Sequence, residues 1–136
     1  MNAYKKFLII LALFLGLNAH AQLPNVQYSG GLAYITGGIG GNESEAIEAD
    51  AKNWPLMIQL SQIDQKGWGT WISGVRLKVL NDKKEEIFNV VCEGPFVLLR
   101  LSPGSYVIDA TYDGVVQQKN ISLKKSQSEK LSIYWK

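Results

Sequence analysis

The chain reads as an all-β domain of seven short strands preceded by one short helix, and three observations carry that reading. From residue 55 onward, runs with two-residue periodicity are broken every eight to twelve residues by turn chemistry. Nowhere in this region is there room for the crossover helix that a parallel βαβ unit needs. The runs are joined by Asn81-Asp82, Gly94-Pro95, Ser102-Pro103-Gly104 and Asp113-Gly114, residues suited to tight turns. A sandwich or a barrel satisfies this spacing.

At the N-terminus, Lys5 and Lys6 precede an apolar run over 7–17 that closes on Ala19-His20-Ala21. This is the pattern of a cleaved export signal, so residues 1–21 are expected to be removed and the mature chain to begin at Gln22. The run covers 11 residues, short of the ~20 that a membrane-crossing helix needs. Residues 22–54 then form an N-terminal extension. It contains an extended stretch over 32–36, the glycine run Gly37-Gly38-Ile39-Gly40-Gly41, and a helix expected over 43–52. Asn42 stands three residues before Glu45, the spacing of an N-cap and its capping-box partner. Glu43 and Glu45 suit the positive end of the helix dipole, Lys52 suits the other end, and Pro55 stops the helix by holding Trp54 extended. Ile47, Ala51 and Trp54 recur at helical spacing and give one apolar stripe that can pack on a sheet.

The expected strands of the domain at 55–136 are 56–62, 75–81, 86–92, 96–101, 105–112, 115–123 and 130–135. Val75, Leu77 and Val79 alternate with Arg76 and Lys78, which sends three aliphatic side chains inward and two cations into water. Tyr106, Ile108, Ala110 and Tyr112 alternate in the same way with Val107, Asp109 and Thr111. Asp113-Gly114 predicts a two-residue type I′ hairpin, because both residues tolerate positive φ. The run Phe96-Val97-Leu98-Leu99 is apolar on both faces, so its second face needs a cover, and the helix is the candidate.

Composition narrows the function. Of the 14 basic residues two lie in the signal, while all 12 acidic residues lie beyond it, so the mature chain carries no net charge and offers no basic footprint for nucleic acid. The only histidine, His20, leaves with the signal, removing the most versatile acid-base group and metal ligand. Cys92 is the lone cysteine, sits in a strand pattern and reads as a small core residue. The glycine run has neither Gly-X-Gly-X-X-Gly nor a Walker lysine, and Glu43 and Glu45 would repel an anion there, so it reads as a connector. Glu43, Glu45, Glu48 and Asp50 lack the wrapping loop of a calcium site and read as a solvated face. Ser126 near Lys124 and Lys125 lacks the Ser-X-X-Lys spacing of a nucleophile, and no carboxylate pair stands out. No catalytic residue, cofactor or metal ligand is expected. Trp68 and Trp71, in Lys66-Gly67-Trp68-Gly69-Thr70-Trp71, are the candidate partner-binding residues, since exposed indoles beside glycine can stack on a sugar or anchor a protein. The competing expectation is that one of them closes the end of the core.

The segment from Gly94 through Phe96, Leu101, Pro103, Gly104 and Tyr106 to Gly114 resembles the carboxypeptidase regulatory-like domain family, and Gly74-Val75-Arg76-Leu77-Lys78-Val79 looks like its opening strand. The resemblance spans about residues 55–136. It implies a seven-stranded Greek-key sandwich, transthyretin-like or immunoglobulin-like, that serves as a non-catalytic module in exported proteins. The expected function is therefore an exported, periplasmic or secreted, binding or structural module. Its partner would be a protein or a glycan, with no nucleic acid and no membrane after signal cleavage. The alternatives are a carbohydrate-binding module using the loop tryptophans and a histidine-free hydrolase.

Overall fold

The computed structural model describes residues 22–136, so the expected export signal, His20 included, lies outside the described residues. In chain order the elements are β1 (Gln27–Ser29), β2 (Leu32–Gly37), α1 (Gly41–Asp50), a 3-10 turn (Ala51–Asn53), β3 (Leu56–Ile63), β4 (Gly69–Trp71), β5 (Arg76–Leu80), β6 (Glu86–Val91), β7 (Phe96–Leu99), β8 (Gly104–Tyr112), β9 (Val115–Leu123) and β10 (Glu129–Trp135). The strands form a six-stranded sheet, ordered β1-β2-β7-β3-β10 with β4 also on β3, and a four-stranded sheet, ordered β6-β5-β8-β9. The result is a two-sheet β-sandwich with one short helix. All seven expected strands occur, and β1, β2 and β4 raise the count from seven to ten.

Between the sheets, the inward residues of both meet in the main core. Val75, Leu77 and Val79 are fully buried there while Arg76 stays exposed, as the alternation requires. Tyr34 of β2 and Phe88 of β6 meet edge to face across this core, with centroids 5.1 Å apart at 90°. The Asp113-Gly114 hairpin takes the expected form: Tyr112 pairs with Val115, and the two turn residues have φ of 50° and 76°.

A second, smaller core lies on the outer face of the large sheet. All four residues of β7 are buried: Val97 and Leu99 face the other sheet, while Phe96 and Leu98 join Ile35, Met57, Ile47, Ala51 and Trp54 under α1. The two-faced strand and the helical stripe thus cover each other. Trp54 is extended at φ −123° and ψ 143°, the geometry that Pro55 imposes on the residue before it. Its Nε1 donates to Asp50 Oδ2 at 2.8 Å, which satisfies the buried indole and ties the end of α1 to the 3-10 turn.

The helix start differs from the expected capping box. Gly40 occupies the N-cap position with no side-chain hydrogen bond, and Asn42 lies within the first turn. Gly38 and Gly40, at φ of 100° and 97°, turn the backbone so that Gly38 N donates to Glu43 Oε1 at 2.8 Å. The carboxylate of Glu43, in the first turn, thus reaches back to a backbone N–H before the helix and places negative charge at the positive end of the dipole, while the helix's own first N–H groups receive no side-chain cap.

Gly94 shows why a glycine opens the β6–β7 motif. A Cβ there would overlap the Gly37 carbonyl and lie 2.6 Å from Gly37 Cα, so β2 and the turn before β7 meet at a spacing that excludes any side chain. Tyr106 is only partly buried at the edge of the main core, and its hydroxyl donates to the Ser102 carbonyl at 2.7 Å. This bond pins the Ser102-Pro103-Gly104 turn where the chain crosses from the large sheet to the small one.

Candidate functional site

The β3–β4 hairpin positions both candidate tryptophans. Asp64 organises the loop: its Oδ1 accepts from Lys66 N and Trp68 N, both at 2.9 Å, and its own N–H donates to the Trp68 carbonyl at 2.9 Å. Gly67 completes the turn at φ 85°. Trp68 is therefore presented at 73 % exposure by a well-bonded turn.

Trp71 follows on β4, which pairs with the last three residues of β3. Since β10 pairs with β3 from Leu56 to Gln62, β4 uses the same edge of β3 as β7 does, one beyond the other. This places Trp71 beside the end of β7, with its ring 4.9 Å from that of Phe96. Trp71 is 54 % exposed and lies on the outer face of the large sheet, so it does not close the end of the main core. Neither indole enters that core. The hairpin does not bring them together either: the ring partner of Trp71 is Phe96, and Trp68 has no ring partner among the described residues.

Strand register adds a residue that sequence reasoning missed. Ser61 pairs with Trp71 on one side and with Tyr134 on the other, so the three side chains stand in one row on the outer face. Trp71 and Tyr134 are thus two strand spacings apart, roughly 10 Å, with a small serine between them. In the next row, Phe96, Gln59 and Ser132 pair across β7, β3 and β10, and Ser132 Oγ donates to Gln59 Oε1 at 3.2 Å. The face beside α1 thus carries two half-exposed aromatic side chains, Trp71 and Tyr134, with serine and glutamine in the rows between and beside them. Ile39 adds a further exposed apolar side chain from the glycine run, whose Gly38 packs on Phe96. The alternation of Ile133 and Trp135 with Tyr134 is the signal that could have found this residue, since it points Tyr134 away from the main core.

The remaining candidates have structural partners. Cys92 is buried, and burial pushes its thiol up to about 12, an effect that a hydrogen bond with Thr36 only partly offsets. A thiol held protonated in this way is not a nucleophile at neutral pH. Glu43 is engaged by Gly38, and Asp50 accepts from Asn53 Nδ2 and Trp54 Nε1, both at 2.8 Å. Among the described residues, no three of His, Cys, Asp and Glu gather as a metal site would require. The clefts that hold Asp64, Asp82 or Asp113 have one Asp side chain each and no Glu. Burial raises the Tyr106 hydroxyl above its ordinary range, with Asp82 adding to the effect, so it stays a protonated donor to Ser102.

The chain matches no family model and no curated protein. The geometry of its own residues therefore carries the functional reading.

Proposed function

We propose that this protein is a non-catalytic, exported binding or structural module of the carboxypeptidase regulatory-like type. Its seven-stranded, Greek-key, transthyretin-like part is extended by the N-terminal strands and helix. It meets its partner through the outer face around Trp71 and the hairpin that carries Trp68. The observation that carries this reading is Trp71 itself. A half-exposed indole laid on the buried ring of Phe96 is a rigid apolar anchor that loses little entropy on contact, and Tyr134 and Ile39 extend the same face.

The motif residues support a module rather than a catalyst, because each has a place in the fold. Phe96 and Leu101 are buried, Gly94 abuts Gly37, and Tyr106 holds the Pro103-Gly104 turn. Recognition would rest on aromatic area and on the neighbouring serine and glutamine side chains, with little electrostatic steering.

The test is capture of a partner from the exported fraction by the wild-type protein and by Trp68→Ala/Trp71→Ala, with thermal unfolding run on both. Loss of capture by a variant that still unfolds cooperatively supports the reading; undiminished capture refutes the assignment of the face. Intact mass of the natively expressed protein tests export, with a start at Gln22 expected. Turnover of a peptide or glycoside that survives repurification would overturn the non-catalytic reading.

A further inference from the structure

Four cations converge on the opposite end of β3 from three separate parts of the chain. Lys52 comes from the 3-10 turn, Arg100 follows β7, and Lys124 and Lys125 sit in the turn between β9 and β10. Together they line a cleft of about 350 Å³ that has Trp54 in its wall and no carboxylate anywhere in its lining. Among the described residues the one ion pair is Lys78 with Glu86, at 3.7 Å, so none of these four cations has a carboxylate oxygen within 4.0 Å. In a mature chain of zero net charge, four unpaired positive charges around one cleft are a local excess that the fold creates and leaves uncompensated.

Arg100 is the fixed point of this cleft. Its guanidinium carbon lies 4.5 Å from the centroid of the Trp54 ring, and one amino group donates to the Asn53 carbonyl at 3.1 Å. The contact with the indole and that bond hold the guanidinium in place and leave its other donors available. Asp50, two residues before Lys52, is outside the cleft lining, and its two oxygens accept from Asn53 and Trp54. A planar, pre-oriented guanidinium is suited to bidentate contact with an oxyanion, while lysines act as point charges with adjustable reach.

We propose that this cleft binds a small oligoanion carrying at least two phosphate or sulfate groups. A single monoanion would satisfy Arg100 and leave three cations uncompensated. The volume also matches a ligand larger than one tetrahedral ion, being at the lower end of the usual range for small-molecule sites. Phosphate and sulfate esters share the required chemistry, and the choice of probe separates them. This site is independent of the Trp71 face, since the two lie at opposite ends of β3.

The experiment is calorimetric titration of the protein with tripolyphosphate and, separately, with a sulfated disaccharide, at about 20 mM and about 300 mM salt. Saturable binding at low salt, weakened at least about tenfold at high salt, is expected for one probe or both, because dissolved ions screen the attraction between exposed cations and the oligoanion. Binding of tripolyphosphate alone assigns a phosphorylated ligand, and binding of the disaccharide alone assigns a sulfated sugar. Lys124→Glu/Lys125→Glu should weaken the bound probe at least about tenfold. Arg100→Lys, which keeps the charge and loses the fork, should weaken it several-fold, and Lys83→Glu, outside the cleft, should leave it unchanged. These are exposed positions, and circular dichroism checks that each variant is folded. Absence of binding by both probes at low salt, or equal affinity in the Lys124→Glu/Lys125→Glu variant, overturns the proposal.

Discussion

Truncating Phe96 to alanine tests the two-layer organisation of the large sheet. The side chain is 1 % exposed and sits at the junction of three features: the second core under α1, the backbone of Gly38, and the ring of Trp71. Emptying a buried phenylalanine site costs about 3–5 kcal/mol, depending on how far the surroundings collapse. Here one wall is the half-exposed Trp71 indole, which can move inward, so the expected cost is near the lower bound, about 3 kcal/mol. For the 115 residues from 22 to 136, that lowers the melting temperature by roughly 12 °C. The helix should feel the loss first. At ten residues α1 is too short to persist alone, and Ile47 is its one buried residue, with Ala51 and Trp54 anchoring the turn that follows. Hydrogen exchange in Phe96→Ala should therefore show the amides of α1 losing protection before those of β5 and β8. Trp71→Ala, which removes one exposed wall and an aromatic pair, should cost only about 1 kcal/mol. An unchanged melting temperature in Phe96→Ala, or a loss of stability with α1 fully protected, would refute the reasoning.

Other consequences follow from single residues. Gly94→Ala should destabilise by about 1–3 kcal/mol or more, because the new methyl meets backbone rather than a movable side chain; a urea midpoint equal to wild type would show that β2 and β7 can part without cost. Gly114→Ala meets no neighbour but must hold φ near 76°, so a loss of about 1 kcal/mol by chemical denaturation is expected. Cys92 should resist alkylation until the domain unfolds, read as coincident labelling and loss of tertiary signal. The folded thiol keeps its proton up to about 12 while the unfolded thiol releases it near 9.0, so its contribution to stability is complete below pH 9.0 and is lost as pH rises toward about 12. The contribution is of the order of 4 kcal/mol, and urea titrations from pH 8 to 11 should show a shallower alkaline decline in Cys92→Ala than in wild type.

Much of the fold is legible in local pattern, because backbone dihedrals and side-chain periodicity are properties of neighbouring residues. Asp113-Gly114 specifies its hairpin through φ alone, Val75 to Val79 specify their inner face by alternation, and Pro55 ends the helical segment whatever lies around it. Even the need for a cover over β7 can be read from a strand that is apolar on both faces. Choices among distant partners depend instead on the summed fit of whole faces, which no window of sequence contains. The parallel pairing of β10 with β3, and the use of one edge of β3 by β7 and β4 in turn, belong to this class. So does the candidate site: Trp71 is visible as an unusual residue, but Phe96 beneath it and Tyr134 two strands away become its neighbours only through register. The helix cap departs from expectation for the same reason, since Glu43 can reach Gly38 only once the glycine run has turned. Net charge is the clearest case. Residues 22–136 sum to zero charge and still gather Lys52, Arg100, Lys124 and Lys125 around one cleft, because folding sorts charges by position in space and composition records only their total.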